Sequence, residues 1–470
     1  ALSPNAIMVS AGDVIGATPM LSSLFHDEPT IEAMSLMGLA LSAVGNHEFD
    51  EGPEELLRMQ RGGCHAIDGC RGPSQFEGAS FQYLAASTVV ATTGETLFPA
   101  SAVREFDGVR VGFIGLTLEG TPELIVPSAS AGLTFLDEAS TINAEAERLR
   151  AQGIETIVVL IHEGGYRQSG PGDCPGLSGP IVDIVEALHP AVDLVVSGHT
   201  NGIYICRMAG KLLTSAGNYG ALLTEVVLTI DRSTGDVTHA QAQNLPVSAD
   251  SSEGAAQLAH IAAYRALAAP MMNRPVGEVI APISRESARS GEIPMGLLIA
   301  DAMIEAAAAA VGERPDIAFM NAGGVRAGLS RPGTVTLSDL FAVQPFGNDL
   351  VVMSMTGAEI EAVLAQQFRV GRDNEILQIS AGAAFAWRRG ASGDEIVPGS
   401  VRIGGAPLDR DRVYRVVANS FLAAGGDAFT AFRAGGSRAI AGTDLDALAA
   451  YVAAHAPLSA PVGGRVRVEH

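Results

Sequence analysis

The run Gly45-Asn46-His47-Glu48-Phe49-Asp50 places an amide, an imidazole and carboxylates directly behind an apolar stretch, 39–44, and Pro53-Glu54-Glu55 then opens a helix. Three other apolar runs end alike. Residues 7–10 lead into Gly12-Asp13, 156–161 into His162-Glu163-Gly164-Gly165, and 192–196 into Ser197-Gly198-His199-Thr200-Asn201. Ligands of α/β proteins bind at the carboxyl ends of strands, so these four ends can meet in one place. Asp13, Asn46, His162, His199 and Asn201 would then form a metal-binding set suited to Zn²⁺ or Mn²⁺ and too large for one tetrahedral ion. Asp13 can bridge two divalent metal ions, and a pair about 3.5–4 Å apart clamps both oxygens of a displacement at phosphorus. His47 need not be a ligand. With Asp50 three residues on to orient its ring, it is placed to stabilise developing charge or the leaving group.

These ends need buried strands behind them and helices between. Apolar runs at 81–85, 109–115, 211–216 and 222–230 predict further strands, and 140–152 has helical spacing with a stop at Gly153. A polar stretch near 248–253 breaks the pattern. An alanine-rich helix at 255–268, stopped by Pro270, follows it and sets the boundaries 1–245, 246–274 for the linker, and 275–470. The second domain shows strand signals at 276–280, a long helix from Pro294, a buried strand at 317–320 before Asn321-Ala322-Gly323-Gly324-Val325-Arg326, and a capping box at Thr356 and Glu359 opening a helix to Phe368. A late strand at 413–418 delivers Asn419-Ser420-Phe421 and Gly425-Gly426-Asp427.

At 470 residues, 47% of them hydrophobic, the chain can bury two or three cores. No apolar run reaches the roughly 18 residues of a membrane span. The formal net charge of −22 repels nucleic acid and anionic membranes, whereas a small phosphate ester can still bind where metals and arginines reverse the local sign. Four cysteines group as Cys64 with Cys70 and Cys174 with Cys206. They read as two disulfides and a periplasmic or secreted protein, the alternative being four reduced thiols in a cytosolic enzyme. His26, His65, His189, His239, His260, His455 and His470 lack a partner pattern.

Taken in order, Gly12-Asp13, Gly45-Asn46-His47-Glu48-Phe49-Asp50, His162-Glu163-Gly164-Gly165 and Gly198-His199-Thr200-Asn201 resemble the calcineurin-like metallophosphatase domain of the 5′-nucleotidase family, and the second domain is similar to that family's C-terminal domain. The resemblance implies a four-layer αββα sandwich followed by an α/β nucleotide-binding domain. It implies Asp13 as the bridging carboxylate, Asn46, His162 and His199 on one metal, Asn201 on the other, and His47 with Asp50 as catalytic dyad. Arg285, Arg289 and Arg326 match its phosphate-binding arginines, Arg285 and Arg289 lying one turn apart if their segment is helical. Phe346 and Phe421 match the rings that sandwich the base, and Asn348 and Asp427 the groups on base and ribose. The implied reaction is hydrolysis of 5′-nucleotides by a metal-activated hydroxide. The alternatives are a 2′,3′-cyclic nucleotide phosphodiesterase or nucleotide-sugar hydrolase, and a nucleotide-binding protein without turnover. Two departures accompany the resemblance: the family's Asp-x-His motif is not found before Asp13, and Asn201 stands where histidine or glutamine is usual.

Overall fold

The computed structural model describes residues 5–167, 176–248, 254–368, 374–390 and 393–469. They divide into two compact units, Ala1–Gly16 with Phe25–Arg265 and Ala17–Leu24 with Ala266–His470.

The first unit begins with β1 (Met8–Ser10), α1 (Glu28–Met37), β2 (Leu39–Ala43), α2 (Pro53–Arg61) and β3 (Gln82–Leu84). There follow β4 (Ser101–Phe106), β5 (Val109–Thr117), α3 (Glu138–Ala151), β6 (Thr156–His162), α4 (Pro180–Ala187) and β7 (Val192–Ser197). The strands β8 (Ile203–Met208) and β9 (Lys211–Ala216), the hairpin β10 (Leu222–Ile230) with β11 (Val237–Pro246), and α5 (Ala255–Met272) complete this part of the chain. A parallel sheet runs β1-β2-β3, and a six-stranded sheet runs β8-β9-β7-β6-β5-β4, parallel from β9 to β5 with antiparallel strands at its edges.

Alternation along each strand decides which layer its side chains enter. On β6, Val158 and Leu160 pack with Leu41 and Leu84 between the two sheets, while Ile157, Val159 and Ile161 pack under α3 and α4 against Ile142, Leu149, Ile181 and Val185. Beyond the smaller sheet, Ile31 of α1 and Leu56 and Met59 of α2 cover Leu39 and Tyr83. The layers are therefore helix, sheet, sheet, helix. Every residue of β6 is buried, which is why this strand reads as an unbroken apolar run.

The second unit contains β12 (Pro275–Val279), α6 (Pro294–Val311), β13 (Ile317–Met320), β14 (Gly333–Thr336), α7 (Leu337–Val343), β15 (Asp349–Thr356) and α8 (Gly357–Ala365). After them come β16 (Gln378–Ile379), β17 (Ala383–Arg388), β18 (Val413–Asn419), β19 (Gly436–Thr443) and α9 (Asp444–His455). Its central sheet has the order β16-β13-β18-β15-β19, with β13 parallel to β18 and β15 antiparallel to it. One face meets α6 and α9; the other meets α8 and β17. By length and hydropathy α6 could cross a membrane, yet 56% of it is buried, and Leu298, Ile299 and Met303 are core residues of this unit.

Several expectations change. α5 does not stop at Pro270 but runs to Met272, because the missing proline donor removes one bond while Asn273 N still donates to Ala269 O at 3.0 Å. The capping box at Thr356 and Glu359 is present, but its helix ends at Ala365 instead of Phe368. The segment of Arg285 and Arg289 is not helical: Ile283 bridges to Leu329 and the chain stays irregular up to α6. Cys64 and Cys70 are bridged, whereas the expected 174–206 pairing falls on Cys174, outside the described residues.

The two sheets of the first unit meet tightly at Gly115, where an added Cβ would press on the Leu84 side chain and lie 2.6 Å from its carbonyl oxygen. Gly115→Ala is expected to lower stability by about 1–3 kcal/mol, read as a lower urea midpoint with unchanged slope. An unchanged midpoint would mean that the sheets part there without cost.

Candidate functional site

The carboxyl ends of β1, β2, β6 and β7 bring Asp13, Asn46, His162 and His199 together. His162, buried at the last position of β6, has its Nε2 2.9 Å from Asp13 Oδ2. His199 Nδ1 lies 3.1 Å from Asn46 Oδ1, and the imidazole rings of His162 and His199 are 5.2 Å apart. One ligand atom from each of Asp13, His162 and His199 falls within 4.8 Å of the others. Asn201 follows two residues later and is exposed. Asp13, His199 and Asn201 have left-handed backbone, with φ of 54°, 64° and 57°, which non-glycine residues adopt only where surrounding structure holds them. Gly12 allows the close approach: a Cβ there would sit 2.6 Å from Gly45 N and 2.9 Å from His162 Nδ1.

The donor chemistry fits a divalent ion. His162 Nδ1 lies 2.8 Å from the Ala11 carbonyl, which can only accept, so Nδ1 carries a proton and Nε2 is the nitrogen turned toward Asp13. Burial works against a charged His162, but the Asp13 carboxylate 2.9 Å from its Nε2 outweighs it and raises the pKa of the ring. A divalent ion would take the place of the proton that Nε2 otherwise shares with the carboxylate. Burial works against a charged Asp13, but His162 and then His47 outweigh it and hold the carboxyl well below the usual range. It is thus an anion at neutral pH. His47 Nδ1 is 2.9 Å from Asp50 Oδ2, which fixes the ring and sets Nε2 on its opposite side.

Glu48 is the functional residue that the sequence did not single out. Its buried carboxylate accepts from Gly45 N at 2.5 Å, Asp13 N at 2.9 Å and Val14 N at 2.8 Å, tying the loop after β1 to the loop after β2. Burial, then the Asp13 charge, pushes its pKa up to about 7. Its role is to accept from main-chain groups, for which the only sequence signal was its place within the six-residue run.

In the second unit the parallel ends of β13 and β18 and the start of β15 gather another set. The Arg326 guanidinium lies 5.8 Å from the centre of the Phe346 ring. Asn321 donates to Asp427 Oδ2 at 2.8 Å and accepts from Asn419 Nδ2 at 3.0 Å. Asn348 donates to Asp444 at 3.3 Å and accepts from Ser420 Oγ at 3.2 Å, next to Phe421, whose ring lies against Gly426. Arg285 donates through Nε to Val325 O at 2.7 Å, which brings it to the segment leading into Arg326. Arg289 is exposed. Asn321, Asn419 and Asp444 are buried supports that the sequence did not assign.

Residues 271–434 match the family model described as 5′-nucleotidase, C-terminal domain. The chain is 30% identical over 470 residues to Endonuclease YhcR of Bacillus subtilis (99% of this chain, 37% of that protein). It is 33% identical over 462 residues to cell wall protein Lmo0130 of Listeria monocytogenes (92% and 58%). It therefore spans less than two thirds of the length of either relative. Among solved structures it superposes on a 5′-nucleotidase precursor from Thermus thermophilus with a TM-score of 0.80 at 25% identity, covering 99% of this chain and 90% of that one.

This geometry sets two expected outcomes. Glu48→Gln keeps shape but leaves one oxygen for three N–H groups; Mn²⁺ binding by calorimetry is expected to weaken at least about tenfold with the circular dichroism unchanged. Wild-type affinity would show that the carboxylate does not set Asp13. Burial pushes Asp444 up to about 7, so the native state holds a proton there that the unfolded chain releases near 4. Its neutral form stabilises the fold fully below that lower value, and the contribution is lost as pH rises through about 7. Urea midpoints of Asp444→Asn should accordingly gain on wild type between about pH 4 and 7.5; a constant difference would contradict the shift.

Proposed function

We propose that this chain, which matches the 5′-nucleotidase C-terminal domain model over 271–434 and superposes along its length on a 5′-nucleotidase precursor, is a phosphoric monoester hydrolase that splits 5′-nucleotides into nucleoside and phosphate. The observation that carries this reading is the 2.9 Å approach of His162 Nε2 to Asp13 beside Asn46 and His199. Two divalent ions, zinc or manganese, would be held by Asp13 as the shared carboxylate, with Asn46, His162 and His199 on one side and Asn201 on the other. Such ions supply Lewis acidity at phosphoryl oxygens and bring the pKa of water near neutrality.

His47 supplies the remaining chemistry. Asp50 fixes its ring through Nδ1 at 2.9 Å, so Nε2 can stabilise charge on the phosphoryl group and give a proton to the departing nucleoside oxygen as the P–O bond breaks. In the second unit, Phe346 and Phe421 would stack the base, Asn348 and Asp427 would hold base and ribose, and Arg285, Arg289 and Arg326 would face the phosphate. Residues 1–245 then carry the chemistry, 246–274 link, and 275–470 hold the nucleoside. The Cys64–Cys70 bridge supports a periplasmic or extracellular location. The Bacillus subtilis relative bears the name endonuclease, but a net charge of −22 favours a small ester over a polynucleotide here.

With Mn²⁺ present, phosphate release from AMP is expected to exceed release from a 2′,3′-cyclic nucleotide or a UDP-sugar; the reverse order would select the related phosphodiesterase reading. Nucleotide binding without any release would leave a binding protein. His47→Ala should lower kcat by about 10²–10⁴ with metal content intact. Phe421→Ala should chiefly raise KM, about tenfold, through lost stacking. Full activity in His47→Ala would remove the dyad from the account.

A further inference from the structure

A second group of metal-type side chains lies in the first unit, apart from the Asp13 centre and on residues that the proposed reaction does not use. His26, Glu51, Glu55 and His65 each offer a ligand atom within 4.8 Å of the others. The imidazoles of His26 and His65 lie face to face 3.7 Å apart at 15°, although 39 positions separate them in the chain, so one ring turns about its Cα–Cβ and Cβ–Cγ bonds when both in-plane lone pairs meet one ion. Glu51 Oε2 lies at the junction, 2.7 Å from His26 Nδ1 and 3.9 Å from His65 Nε2. These spacings bracket the roughly 3.4 Å between ligand atoms around a tetrahedral zinc ion.

The surroundings of His26 are those of a metal-ligating histidine. Its other nitrogen, Nε2, lies 3.0 Å from Asp68 Oδ2, the carboxylate–histidine arrangement that fixes the tautomer and turns the opposite lone pair toward an ion. The Cys64–Cys70 bridge closes the loop that carries both His65 and Asp68. With side-chain exposures of 14% for His26, 15% for His65 and 43% for Glu51, the nitrogens are sheltered and the carboxylate gives a path from solvent.

We propose that His26, Glu51, Glu55 and His65 form a further divalent-cation site of zinc-type chemistry, with Asp68 as the outer partner of His26. The site fastens the disulfide-closed loop to the segment between Asp50 and α2, one residue beyond the proposed dyad. Occupancy has a local consequence. The Asp68 N–H donates to His65 Nδ1 at 3.1 Å, and a neutral ring bound through Nε2 carries its proton on Nδ1, so that N–H must turn away within an exposed loop.

The test uses the full chain in an Asp13→Ala/His199→Ala background, which removes ligands of the other centre, so its outcome is independent of the proposed hydrolysis. After dialysis against micromolar zinc, elemental analysis should find one zinc per chain, none after further substitution with His26→Ala and Glu51→Gln, and about tenfold weaker retention after Asp68→Asn. Background protein without zinc, or zinc that survives His26→Ala and Glu51→Gln, overturns the proposal. Should those substitutions unfold the loop, zinc-edge absorption of the background protein decides: two imidazoles in the zinc shell are expected, and a shell without imidazole overturns it.

Discussion

One buried carboxylate collects the main-chain N–H groups of Gly45, Asp13 and Val14, and on that junction the geometry of the first unit rests. Glu48 holds the loop after β1 against the loop after β2, so Asp13 keeps its left-handed backbone and faces His162 across 2.9 Å. The gap between the loops is too narrow for a side chain at Gly12 or Gly45, where a Cβ would collide with main-chain atoms of the facing loop. An anion, two imidazoles and an amide are thus gathered at one edge of the sheets. A divalent ion is the partner that such a set fits.

The second unit solves a different problem with a similar device. Amide side chains run through its polar cluster: Asn419 holds Asn321, which holds Asp427, while Asn348 is fixed at both ends by Ser420 and Asp444. Amide networks of this kind fix direction at little electrostatic cost in a buried place. The first unit thus gathers charged groups, and the second gathers aromatic and polar ones.

Much of the first unit is legible in the sequence because its parallel strands are buried on both faces. Strands β6 and β7 read as apolar runs, and the polar residue that ends each run, His162 or the Ser197-to-His199 turn, marks the carboxyl edge. Residues that act through the main chain were not legible. Glu48 serves N–H groups that any residue could present, and Asn321, Asn419 and Asp444 support other side chains instead of meeting a ligand. The stacking of His26 on His65 depends on where a disulfide loop comes to rest, which no local pattern encodes. The condition under which Arg285 and Arg289 would lie one helical turn apart is not met, since their segment is irregular and Arg285 reaches the Val325 carbonyl. Pro270 proved a poor stop since it falls within the last turn of α5, where one lost bond matters little.

The central claim is that Asp13, Asn46, His162 and His199 hold a divalent ion, and anomalous scattering from crystals grown with Mn²⁺ tests it most directly. A strong peak within bonding distance of Asp13 and His162, collected at the manganese edge, is the predicted result. Manganese located elsewhere, with no peak between those two side chains, would contradict the account.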